Sequence, residues 1–217
     1  MPPAIPVVEF AGLGVRIGDT PILRGVDLRI EPGEAVGIHG ANGSGKTTLL
    51  RVAATLLAPT EGRGRVLGAD LFGSERFDVR GRIGLIGHTP ALYPQLTLEE
   101  NTAFVASITG RPDHLVTEVL AKVGLAGARH RRVDQCSHGM QRRAEFARVL
   151  LTEPDLLLLD EAHAGLDPLA SDLVSALARR TTGRGGAVVF VTHDARRAAT
   201  IVDRAYTTAD GHLVPGP

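Results

Sequence analysis

Short apolar runs separated by glycine-rich breaks occupy both ends of this chain, and stretches of helical period fill its middle. Val7 to Val15 and Ile22 to Ile30 read as two strands, divided by the turn chemistry of Gly18-Asp19-Thr20-Pro21. Pro32-Gly33-Glu34 makes a second turn, and Ala35 to His39 then forms a short apolar strand. Lys46 to Ala58 predicts a helix, apolar at Leu49, Leu50, Ala53, Leu56 and Leu57, with Pro59 as its stop. Gly62-Arg63-Gly64 leads into a strand at Arg65 to Leu67, and Arg82 to Ile86 predicts the next buried strand.

Between about Gly87 and Glu153 the strand-like runs disappear. Helical period takes over at Leu98 to Ile108, His114 to Val123 and Gly139 to Leu151. Strand texture resumes at Leu156 to Leu159, followed by a helix over Pro168 to Thr181 and a strand at Ala187 to Val191. A short helix is expected near Ala195 to Val202, and Arg204 to Thr208 with Leu213-Val214 predicts a hairpin around Asp210-Gly211. The expectation is one α/β domain over 1–217. Its core spans about 1–86 and 154–217, begins with an antiparallel β region, and receives a helical subdomain over about 87–153.

Composition narrows this picture only slightly. The chain has 217 residues, enough for a sizeable core. Its 24 basic and 24 acidic residues cancel, so no general attraction to nucleic acid or anionic lipid is implied, and no nucleic-acid partner is expected. A single cysteine, Cys136, excludes an internal disulfide and reads as a small apolar residue in a reducing compartment. The start lacks the pattern of a signal peptide, and no run approaches the roughly 20 apolar residues that span a bilayer. A membrane role is therefore expected only through a partner.

Two runs carry the chemistry. Gly40-Ala41-Asn42-Gly43-Ser44-Gly45-Lys46-Thr47, followed by Thr48, sits between a strand and a helix and fits the P-loop, whose backbone N–H groups cradle nucleotide phosphates. Lys46 would reach the β- and γ-phosphates, and Thr47 would ligate Mg²⁺. The apolar strand ending in Asp160-Glu161 delivers an acidic pair: Asp160 for the Mg²⁺ shell, Glu161 to polarise an attacking water. Both runs together predict binding and hydrolysis of a nucleoside triphosphate. No Asn-Lys-x-Asp guanine-reading motif is present, which argues against a GTPase.

Further segments make the reading more specific. Ser137-His138-Gly139-Met140-Gln141-Arg142-Arg143 opens a helix, Asp160-Glu161-Ala162-His163-Ala164-Gly165-Leu166-Asp167 follows a strand, and a later strand delivers Thr192-His193-Asp194. In this order the chain resembles, over essentially its whole length, the ATP-binding subunits of ABC transporters. The resemblance implies a head-to-tail dimer that sandwiches two ATP molecules with Mg²⁺ between subunits, the second subunit being an identical or a related chain. In it, His193 would sense the γ-phosphate, Ser137 and Gly139 would reach the nucleotide of the second copy, and Asp167 would sit at the seam. It also implies separate transmembrane permease subunits and a cytoplasmic, peripheral position on the inner face of the membrane. A soluble ABC-type ATPase of an assembly or repair machine is the alternative.

The departures from that pattern are informative. His88 stands where most relatives have a glutamine that contacts Mg²⁺ and the attacking water. His138 replaces a glycine of the signature, which would strain the backbone if that position needed φ > 0. Ala162 replaces a proline, and Ile17 replaces the aromatic that stacks on adenine. Gly87-His88-Thr89-Pro90 and the Ser137–Arg143 segment resemble the short ATPase subunits of haem exporters in cytochrome c maturation. His138 and His163 read as local replacements and not as metal ligands, because no second ligand lies at suitable spacing. The Arg129–Arg132 run reads as a solvated loop. Leu92-Tyr93-Pro94 is a candidate docking surface for a membrane partner's cytoplasmic helix.

Overall fold

The computed structural model describes residues 5–162, 168–192 and 201–216, with the side chains of 168–170 left aside. Its described residues gather into two compact units. The first takes in residues up to Leu85, the segment Pro154–Ala162, and the chain from Ala178 onward; the second takes in Ile86–Glu153 and the first part of the helix after Pro168.

The first unit contains an antiparallel sheet and a mostly parallel one. Strands β1 (Val8–Ile17) and β2 (Thr20–Ile30) pair antiparallel, with β4 (Glu61–Val66) and β5 (Ala69–Asp70) completing the order β2-β1-β4-β5. The strands run further than the apolar pattern predicts and leave only Gly18-Asp19 as the turn. Gly62 and Gly64 lie within β4 and do not precede it. Close packing explains this: a Cβ on Gly62 would stand 2.2 Å from the Gly12 carbonyl oxygen of β1.

The second sheet has the order β10-β9-β3-β8-β7-β6, built from β3 (Ala35–Gly40), β6 (Ile83–Ile86), β7 (Leu156–Asp160), β8 (Ala187–Val191), β9 (Arg204–Ala209) and β10 (His212–Pro215). Strands β9, β3, β8 and β7 run parallel. All residues of β7 and β8 are buried, as expected of parallel strands covered on both faces. Strand β10 returns antiparallel to β9 through Asp210 and Gly211, both at positive φ (50° and 81°), the conformation of a type I′ hairpin turn.

Helix α1 spans Lys46–Ala53, shorter than the apolar pattern predicts. Thr55 adopts φ 60°, and Arg80 donates to both its carbonyl (2.8 Å) and its hydroxyl (3.1 Å). The Thr55 N–H donates to the Val52 carbonyl and the Leu56 N–H to the Arg51 carbonyl (both 2.9 Å), a Schellman closure that ends the helix and leaves Leu56 and Leu57 beyond it.

The second unit holds α2 (Leu98–Thr109), α3 (His114–Lys122) and α4 (His138–Thr152). Thr97 and Glu100 close a capping box at the start of α2, and Gly110 ends it at φ 65°. Helix α5 (Pro168–Gly183) runs from the second unit into the first, and the short helix expected near 195–202 lies largely outside the described residues.

Candidate functional site

Strand β3 ends at Gly40, and the loop to Lys46 is shaped by glycines at positive φ: Gly40 at 150°, Gly43 at 79° and Gly45 at 101°. At Gly40 there is no room for a side chain, since a Cβ would stand 2.2 Å from Thr208 Oγ1 and 2.6 Å from the Thr208 carbonyl oxygen. At Gly45 a Cβ would meet Leu23 Cδ2 at 2.8 Å. The backbone therefore follows a path that only glycine permits. Gly45 is also the N-cap of α1, so no side chain caps the first-turn N–H groups, which face the loop with the positive end of the helix dipole. This is the arrangement that binds phosphate.

Lys46 is buried, and its Nζ donates to the carbonyls of Gly40 (2.8 Å) and Ala41 (2.7 Å). Both of these ammonium bonds hold the loop, and the remaining N–H is left for a ligand. The Thr47 hydroxyl donates to Asp160 Oδ2 at 3.1 Å, joining the helix start to the end of β7. A hydroxyl and a carboxylate oxygen side by side form the hard-oxygen donor set that suits Mg²⁺. Glu161 follows at φ 53°, with its N–H bonded to the Val191 carbonyl at 2.9 Å. Together with Asn42, Gly43, Gly45 and Thr48, these residues line one cleft of about 450 Å³.

Sequence reasoning missed Thr208. Strand β9 runs beside β3 in a register that sets Gly40 against Thr208. Its hydroxyl donates to the His39 carbonyl (3.0 Å) and accepts from Ser44 Oγ (2.6 Å), which buttresses the loop from behind. No local pattern signals this role.

The second unit holds the other predicted positions. Ser137 is the N-cap of α4, with its hydroxyl accepting from the Met140 N–H at 3.3 Å, and Gly139 lies in the first turn. His138 is the first helical residue and is not among those with positive φ, so histidine replaces glycine there without backbone strain. His88 is exposed in the segment after β6. His163, Asp167 and His193 lie outside the described residues. Among the described residues no three or more histidine, cysteine and acidic side chains cluster as a metal site, and burial raises the pKa of the Cys136 thiol.

The ABC transporter family profile matches residues 23–164, a stretch that includes the phosphate loop, Ser137 and the Asp160-Glu161 pair. This chain belongs to the ABC transporter family. Its cassette is an ABC-type ATPase domain. It is 38% identical over 215 residues to the daunorubicin resistance ATP-binding protein DrrA3 of Streptomyces coeruleorubidus, covering 95% of this chain and 66% of that protein. It is also 38% identical over 206 residues to the lipoprotein-releasing system ATP-binding protein LolD of Maricaulis maris (strain MCS10), covering 91% of this chain and 90% of that one. The chain thus spans just under two thirds of the daunorubicin relative and most of the lipoprotein-system relative. A solved dimeric cassette in a post-hydrolysis state, bound to ADP and Pi, superposes with a TM-score of 0.85 at 27% identity, covering 96% of this chain and 98% of that one. Among the described residues, no helix of this cassette is long and apolar enough to cross a membrane.

Proposed function

We propose that this chain binds and hydrolyses ATP as the energy-supplying subunit of a transporter whose membrane-spanning subunits are separate chains. The observation that carries this is the cleft in which the phosphate loop, the Thr47–Asp160 pair and Glu161 meet. The loop N–H groups and Lys46 bind the phosphates, Thr47 and Asp160 hold Mg²⁺, and Glu161 orients and deprotonates the attacking water. Bound there, Mg²⁺ would neutralise charge on the phosphate oxygens.

Two copies close over two nucleotides, with Ser137 and Gly139 of each reaching the γ-phosphate held by the other. The uncapped start of α1 and the Ser137-capped start of α4 are both polarised to receive an anion. Asp167 at the seam and His193 at the γ-phosphate complete the assignment implied by family membership, and His88 takes the water-facing role of the usual glutamine.

Contact with the membrane subunit is assigned to the second unit. Tyr93 and Phe104 meet edge to face at 5.4 Å and, with Leu92, Val105 and Ile108, line a mainly apolar groove of about 310 Å³ that Asn101 and Arg148 also border. Exposed aromatic and aliphatic side chains around a groove suit an amphipathic helix. Cargo is chosen by the membrane subunits. The haem-export resemblance of Gly87–Pro90 and Ser137–Arg143 makes haem the first cargo to test.

The experiment is affinity purification of the tagged chain from detergent-solubilised membranes of its native host, with mass spectrometry and an ATPase assay on the eluate. A stoichiometric multi-span partner with Mg²⁺-dependent ATPase activity is the expected result. Recovery with soluble partners only would replace the transporter reading with that of an assembly or repair ATPase.

A further inference from the structure

Helix α4 of the second unit carries an ion pair that its sequence pattern does not announce. Arg142 and Glu145, three residues apart, would ordinarily form a solvated pair on a helix face. Here they are 1% and 2% exposed, with Nη1 and Oε2 2.8 Å apart. What covers them is the chain leaving β6. Arg142 donates to the carbonyls of Gly87 (2.7 Å) and His88 (3.0 Å). The other oxygen of Glu145 accepts from the Ala91 N–H at 2.9 Å. The pair therefore grips Gly87–Ala91 at both ends, and the exposed His88 is itself held through its carbonyl.

Two buried charges are costly, and apolar residues of the same volume stabilise a fold at least as well. The Glu145 carboxyl registers that cost: burial raises its pKa, against the lowering by the Ala91 N–H and Arg142. Beyond the bond between its own members, the pair's hydrogen bonds run to this loop, so it acts on the position of that loop. The same helix begins at Ser137, so the grip also fixes His88 relative to that helix start.

We propose that Arg142 and Glu145 are positioning residues for ATP hydrolysis, holding the His88 segment in one register on α4. The proposal rests on the reading of His88 as a participant in hydrolysis. It predicts a loss of turnover that depends on His88 being present, which a merely structural pair would not produce.

The test is a kinetic cycle on the full chain, with any membrane partner it co-purifies with. The double substitution R142M/E145M removes both charges at similar volume. It should lower kcat about tenfold, as a displaced catalytic group does, with KM for ATP changed less than about twofold. In the H88A background the same double substitution should leave kcat within about twofold of H88A alone. An equal fold-loss in both backgrounds, or unchanged kcat in the wild-type background, overturns the proposal. If R142M/E145M does not fold, R142K takes its place, keeping the buried cation but losing the fork that spans two carbonyls. R142K should lower kcat in the wild-type background and not in H88A, and an equal loss in both again overturns the proposal. Unchanged kcat in H88A by itself overturns the underlying reading of His88, a failure visible before either pair variant is made.

Discussion

Ser44 donates its hydroxyl hydrogen to Thr208 at 2.6 Å, because Thr208 has given its own hydrogen to the His39 carbonyl at 3.0 Å. The direction of the relay follows from each hydroxyl having one hydrogen to give. Through it, a strand near the end of the chain holds the phosphate loop. Thr208→Val keeps the shape and removes the relay. Losing one such bond costs about 1 kcal/mol, so affinity for a non-hydrolysable ATP analogue should fall roughly 2- to 10-fold in titration calorimetry. Unchanged affinity would mean that the loop keeps its form without Thr208.

If Thr47 and Asp160 hold Mg²⁺ as proposed, their variants should respond to Mg²⁺ and not to nucleotide alone. Thr47→Val and Asp160→Asn should each weaken ATP binding at least about tenfold in Mg²⁺ and much less in EDTA. Equal weakening in both conditions would place the damage in the phosphate loop.

Glu161 should be separable from binding. Its backbone is anchored through the Val191 carbonyl, so Glu161→Gln should keep its place in the cleft. A lost general base lowers turnover on the order of 10²-fold or more, while ATP affinity should stay within about threefold. The variant should also accumulate as a dimer in ATP, which size-exclusion chromatography reads directly. Wild-type turnover in a clean preparation would remove Glu161 from the mechanism.

Stability should depend on pH through the capping box of α2. Bonds from the Thr97 N–H and hydroxyl lower the pKa of the exposed Glu100 carboxyl from its usual value near 4.5. The folded protein thus holds that proton less readily than the unfolded chain. The contribution is present above the unfolded value and is lost as pH falls through the lowered folded one. The difference in Tm between wild type and Glu100→Gln should therefore be largest near neutrality and shrink below pH ~4. A difference that stays constant with pH would assign the effect of Glu100 to shape and not to charge.

The parts legible in the sequence are those whose cause is local. Leu156 to Leu159 read as a buried strand because both faces are covered, and the loop from Gly40 to Thr47 read as a phosphate cradle because its glycines set its path. What stayed hidden depends on residues far apart in the chain. Helix α1 stops at Ala53, closed by Thr55 at φ 60° with its carbonyl held by the distant Arg80, although Leu56 and Leu57 continue the apolar pattern. Thr208 meets Ser44 only through parallel pairing of β9 with β3. Arg142 and Glu145 look like surface charges until the segment after β6 folds over them.

The start of α1 gives this protein a structural element whose end group comes from solution. Most helices carry their cap in the sequence, as α2 does with Thr97, whereas α1 begins at a glycine and turns bare N–H groups outward. A bound phosphate would then serve as the cap, and its binding would stabilise the start of the helix. Resistance to heat and proteolysis around Lys46 should therefore rise and fall with nucleotide concentration.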